Sequence, residues 1–123
     1  MPLLAVGMGG FLGAIARYLI DGWISDANHT AFPFGTFAIN LSGSFLLGLL
    51  FALSTERAVL PTEIRTPLMI GFLGAYTTFS TYTLETTRLL ELGSWGLAAL
   101  NLVASVVAGV GAAIFGLAVG RSL

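Results

Sequence analysis

The sequence predicts an all-α integral membrane protein with four spanning helices. Hydrophobic residues make up 56% of the chain and charged residues only 9%, where a soluble domain is about a quarter charged. Mean hydropathy is +0.93. The apolar residues gather in four stretches, each near the roughly 20 residues that cross a bilayer. With 123 residues in all, those four stretches leave room for little else.

The first stretch covers about residues 3–20 and gives way to DGWISDANHT. Its first cation, Arg17, lies behind the apolar run, so the charged leader of a signal peptide is missing and the stretch is expected to stay as a span. The second covers about 34–53, entered through Pro33 and left through STERAVLPTEIRT. The third covers about 67–90, with Pro67 suited to a first helical turn, where its missing N–H costs nothing. The fourth covers about 95–119. Trp23 and Trp95 fall at expected ends, where aromatic rings sit at the headgroups. The connections hold no soluble domain, so residues 1–123 form a single membrane unit.

Composition removes several function classes. A net charge of −1 with five scattered Arg offers no patch for nucleic acid. No cysteine is present, and the single His29 sits in HTAFP without partners at ligand spacing. Asp21, Asp26, Glu56, Glu63 and Glu91 lie in loops or at ends with no His beside them, which argues against catalysis.

Charge placement is nearly balanced across the membrane. With four spans, Arg57, Arg65 and Arg121 share one side and Arg17 and Arg88 the other. So small a bias suits two readings: a weakly determined single orientation, or a dual-topology chain that inserts both ways and pairs antiparallel. Small residues four apart (Gly9/Gly13, Gly116/Gly120, Ser44/Gly48, Ser105/Gly109) predict close helix packing.

The third stretch raises the sharpest question. In GAYTTFSTYT, residues 74–83, the hydroxyls of Thr77, Thr78, Ser80, Thr81, Tyr82 and Thr83 surround Phe79, although hydrocarbon solvates unpaired hydroxyls poorly. Two readings are open. Gly71 and Gly74 let the backbone leave helical geometry, freeing carbonyls for a cation; or the helix is unbroken, with Ser and Thr bonded back to i−4 carbonyls. Asn40 in GTFAINLSGS, and Asn101 and Ser105 in ALNLVASVVAG, add neutral donors on two further spans. Singly, each reads as glue between helices. Together they read as the lining of a path for an anion, which a fixed Lys or Arg would trap. Phe79 and Tyr82, three apart, share a helix face and could offer electropositive ring edges. Glu85 is the only acid inside an expected span; it reads equally as an interfacial charge or as a group near an aqueous vestibule.

GGFLGAIARY, GTFAINLSGSFLLG and GFLGAYTTFSTYTLE, in this order and spacing, resemble the Fluc (CrcB-type) fluoride ion channels, over the whole chain. The resemblance implies an antiparallel dual-topology homodimer in a prokaryotic plasma membrane (the inner membrane of a Gram-negative cell). It implies two pores that passively export fluoride and lower its cytoplasmic level. It implies that the third span is broken mid-membrane and that a central structural sodium ion is held by backbone carbonyls of Gly74 and Thr77. The aromatic pair maps to Phe79 and Tyr82, the pore asparagine to Asn40, and the hydroxyl track to Ser80, Thr81 and Ser105. Glu85 maps near a pore mouth. Tyr82 departs from the usual Phe, and Gly109 stands where some relatives carry another hydroxyl. Two alternative readings fit the sequence less well. A small dual-topology multidrug exporter needs a carboxylate in its first span, and residues 3–20 contain none. A non-transporting membrane subunit explains the small residues but not the polar ones.

Overall fold

The computed structural model describes residues 2–123. Helix α1, Pro2–Ala27, runs on past Ile20 through Asp21, Gly22 and Trp23. One glycine costs a helix only about 1 kcal/mol, so nothing in DGWISDA suffices to end it. Asn28 does, its Nδ2 donating to Ile24 O at 3.0 Å over the last turn. Helix α2 is α-helical over Phe34–Phe51 and closes in a wider, π-helical turn over Ala52–Glu56. Ser54 Oγ donates to Leu50 O at 2.6 Å there. Ala58, at φ 54°, then turns the chain away.

Helix α3 occupies residues 62–76, beginning as Thr62–Thr66, widening to π-helical over Pro67–Phe72 and ending as Leu73–Tyr76. Pro67 is therefore inside a helix and not in its first turn. An interior proline loses one backbone bond and crowds the carbonyl four residues back; the wide turn that starts at Pro67 eases the crowding. Thr77 (φ −87°, ψ 158°) and Thr78 (φ −149°, ψ 118°) are extended, and α4 follows over Phe79–Glu91. Of the two readings of GAYTTFSTYT, the broken one holds. Helix α4 closes on Gly93, whose φ of +77° suits glycine best; Gly93 N–H donates to Leu90 O and Ser94 N–H to Leu89 O, the Schellman pattern. Helix α5 covers Trp95–Ser122.

Among the described residues, α1, α2 through Glu56, and α5 are long and apolar enough to cross a membrane. The chain from 62 to 91 is divided by the break into shorter pieces. Three of the four small-residue pairs sit at tight crossings. A Cβ at Gly9 or Gly13 would strike Pro67 O or Phe72 O of α3, and one at Gly48 or Gly116 would strike Ala113 O of α5 or Phe45 O of α2. Gly120 lies against Ala52, whereas Gly109 has only Ser44 Oγ near it, at 3.9 Å. The far ends of α2 and α5 are joined by Glu56 and Arg121, with Nε to Oε1 at 2.8 Å. Little of the apolar surface is used inside the chain: Ile39, Leu73 and Tyr76 form the small core, while Phe11, Trp23, Val107 and Phe115 point outward.

Candidate functional site

The break at Thr77 and Thr78 is the structural centre of the site. Extended backbone there removes the donors that the carbonyls of residues 74–77 would meet in a continuous helix. Two neighbouring helices replace part of what is lost. From α2, Asn40 Nδ2 donates to Thr78 O at 3.0 Å, and Asn40 Oδ1 accepts the Thr78 N–H at 2.8 Å. From α1, Arg17 Nε donates to Ala75 O at 2.9 Å, which gives Arg17 a definite place. Gly43 makes room for the break, since a Cβ on it would overlap the Thr77 methyl. Thr78 also caps α4: its Oγ1 accepts the Thr81 N–H at 3.2 Å.

Among the described residues, no hydrogen bond reaches the carbonyls of Gly74 or Thr77. Both residues line a cleft of about 290 Å³ with Asn40, Ser44, Thr78 and Phe79. Uncharged carbonyl oxygens without a hydrogen-bond partner are suitable ligands for a hard cation such as sodium, so the residues present fit that ion.

The two aromatic residues differ sharply. Phe79 is 76% exposed and Tyr82 is 7% exposed, their ring centroids 5.8 Å apart at 51°. The Tyr82 hydroxyl donates to Leu102 O of α5 at 2.9 Å. That bond pins the ring to α5, so the hydroxyl has a partner away from Phe79.

Donor accounting separates the hydroxyls further. A Ser or Thr has one proton to give. Thr77 gives its proton to Leu73 O, Thr83 to Ser80 O, Thr86 to Tyr82 O and Thr87 to Thr83 O. Ser105 gives its proton to Asn101 Oδ1 at 3.1 Å. Thr78 Oγ1 donates to Thr81 Oγ1 at 3.0 Å, which leaves the Thr81 proton unspent, and Ser80 is exposed at 3.4 Å from Thr78 Oγ1. Among the hydroxyls and side-chain amides around the break, Ser80, Thr81 and the second N–H of Asn40 keep a proton to give.

Asn40, Gly74, Thr77 and Phe79 are thus brought to one cleft, with Ser80, Thr81 and Tyr82 on the turn that follows. Ser105 stands apart on α5, joined to α4 through Asn101 and Thr86. Glu85 lies apart too. It borders a second cavity of about 370 Å³ with Asn28, His29 and Thr30, and among the described residues its buried Oε1 has no hydrogen-bond partner. Sequence reasoning missed Thr86 and gave Arg17 only an anchoring or interface role. Thr86 was one threonine among many, and only its spacing of four from Tyr82 marked it.

Together the fold and the break define an all-helical, multi-pass membrane protein. The family model described as "CrcB-like protein, Camphor Resistance (CrcB)" matches residues 4–117. The chain is 47% identical over 121 residues to a Magnetococcus marinus protein named "Fluoride-specific ion channel FluC", covering 98% of each. It is 42% identical over 123 residues to a Geobacter metallireducens protein of the same name, covering 100% of this chain and 99% of the relative. A Sulfurovum protein so named is 46% identical over 115 residues, at 94% and 90% coverage. The chain belongs to the CrcB family.

Proposed function

We propose that this protein is a fluoride-selective ion channel, not an enzyme, that lets fluoride leave the cytoplasm passively and so lowers its toxicity. The observation that carries the reading is the break at Thr77–Thr78, in a chain similar along its whole length to proteins named fluoride-specific channels. In this reading the chain crosses the membrane four times, the third time as α3 and α4 in succession.

Two copies pair antiparallel and form two pores. The outward apolar faces and the near-balanced arginines support that pairing. The carbonyl end of α3 and the N–H end of α4 meet at the break, so opposite partial charges lie side by side. Carbonyls of Gly74 and Thr77 hold the sodium ion, whose charge supplies positive potential to both pores. Phe79 and Tyr82 ring edges, Asn40, and the Ser80, Thr81 and Ser105 hydroxyls form the fluoride path, with Glu85 near a mouth. Fluoride binds water strongly, so its path needs many close donors and no fixed cation that would stall it.

The test is efflux from liposomes that hold the reconstituted protein and fluoride, followed with a fluoride electrode, with chloride as control. Fluoride release above empty vesicles, without matching chloride release, is expected. Equal release of both ions, or of neither, overturns the reading.

A further inference from the structure

The groups joining α4 to α5 form a hydrogen-bond chain with a defined direction. Thr86 Oγ1 lies 2.8 Å from Tyr82 O, a backbone carbonyl that can only accept, so the Thr86 proton belongs there. Having spent its proton, Thr86 Oγ1 can only accept from Asn101, whose Nδ2 is 2.8 Å away. That orients the amide, and Asn101 Oδ1 faces Ser105 Oγ at 3.1 Å as an acceptor. Ser105 must therefore donate to it. Asn101 is 1% exposed and Thr86 4%, so water does not loosen the chain.

We propose that Thr86 and Asn101 are positioning residues that hold the Ser105 hydroxyl proton away from the permeating anion. The proposal rests on the reading that Ser105 lies on a fluoride path. At rest Ser105 turns a lone pair, not a proton, to that path. Fluoride gains the Ser105 proton only by taking it from Asn101 Oδ1, one hydrogen bond exchanged for another. The exchange keeps binding at this point shallow, which suits an ion that has to leave as readily as it enters.

The arrangement predicts a result opposite to that of a polar lining simply removed. Thr86→Val takes away the acceptor that orients the amide. Asn101 is then free to turn its Nδ2 to Ser105 Oγ, which releases the serine proton for the anion. Thr86→Ser keeps the acceptor.

The experiment measures initial fluoride flux in proteoliposomes against fluoride concentration. For Thr86→Val the half-saturating concentration should fall about tenfold, the weight of one hydrogen bond to a charged partner, without a rise in maximal flux. Thr86→Ser should match the unaltered protein, and adding Ser105→Ala to Thr86→Val should abolish the tightening. Should Thr86→Val fail to assemble, Asn101→Leu removes the acceptor of the Ser105 proton directly and must tighten binding likewise. Lowered flux at an unchanged half-saturating concentration, for whichever variant assembles, would reduce Thr86 and Asn101 to packing and overturn the proposal. Absence of fluoride flux in the unaltered protein overturns the channel reading itself, and the proposal with it.

Discussion

The amide of Asn40 stands in for the peptide neighbours that Thr78 loses at the break, giving its Nδ2–H to Thr78 O and taking the Thr78 N–H on Oδ1. One side chain thus satisfies both polar groups of an extended residue, 38 positions away in sequence. Backbone groups buried without partners cost about 1–3 kcal/mol each. The pair is therefore a main reason why non-helical backbone persists here.

Asn40→Ala should accordingly destabilise the fold by about 2–4 kcal/mol and abolish fluoride flux. Hydrogen exchange at the Thr78 amide, read by mass spectrometry, should speed up strongly. Asn40→Asp keeps the acceptor but not the donor and adds a negative charge, so flux should fail there as well. Normal flux in Asn40→Asp would remove Asn40 from the path.

Phe79 contributes an exposed ring to the cleft and little to the packing of its own chain. Phe79→Ile is expected to remove most fluoride flux while the protein elutes unchanged in size-exclusion chromatography. Unchanged flux would exclude the ring from conduction.

Tyr82 has the reverse character. Its hydroxyl bond to Leu102 O stabilises the α4–α5 contact by about 1 kcal/mol, so Tyr82→Phe should lower thermal stability slightly. Because the hydroxyl points at α5 and away from Phe79, flux should stay within about twofold, less than the factor such a bond represents. A large loss of flux would show that the hydroxyl itself serves the anion.

Helix packing can be tested at a pair of glycines on one helix. A Cβ at Gly116 meets Phe45 O, whereas one at Gly111 meets nothing within 4 Å. Gly116→Ala should cost about 1–3 kcal/mol or more through overpacking, seen as a lowered unfolding temperature or lost expression. Gly111→Ala should leave the α2–α5 crossing within the chain intact and cost much less. Equal behaviour of the two would contradict the α2–α5 crossing.

Much of this fold could be read in the order of the residues. Four apolar stretches placed the helices, and Gly9, Gly13, Gly48 and Gly116 announced close crossings that the structure contains. The break could not be decided from composition, because GAYTTFSTYT suits both a broken and a back-bonded helix. What decides it is Asn40, and no local rule pairs residues 40 and 78. Pro67 misled in a similar way. A proline reads as a helix start, but the π-helical turn from Pro67 to Phe72 admits it inside one. Thr86 and Asn101 stayed illegible as a pair until α4 and α5 were set side by side.

The central claim is selective fluoride conduction, and current reversal tests it most directly. With the protein in a planar bilayer, fluoride on one side and chloride on the other, current should be carried from the fluoride side alone. With unequal fluoride on the two sides, the reversal potential should sit at the fluoride equilibrium value whatever the chloride. A reversal potential that follows the chloride gradient, or no current above the bare bilayer, would contradict the account.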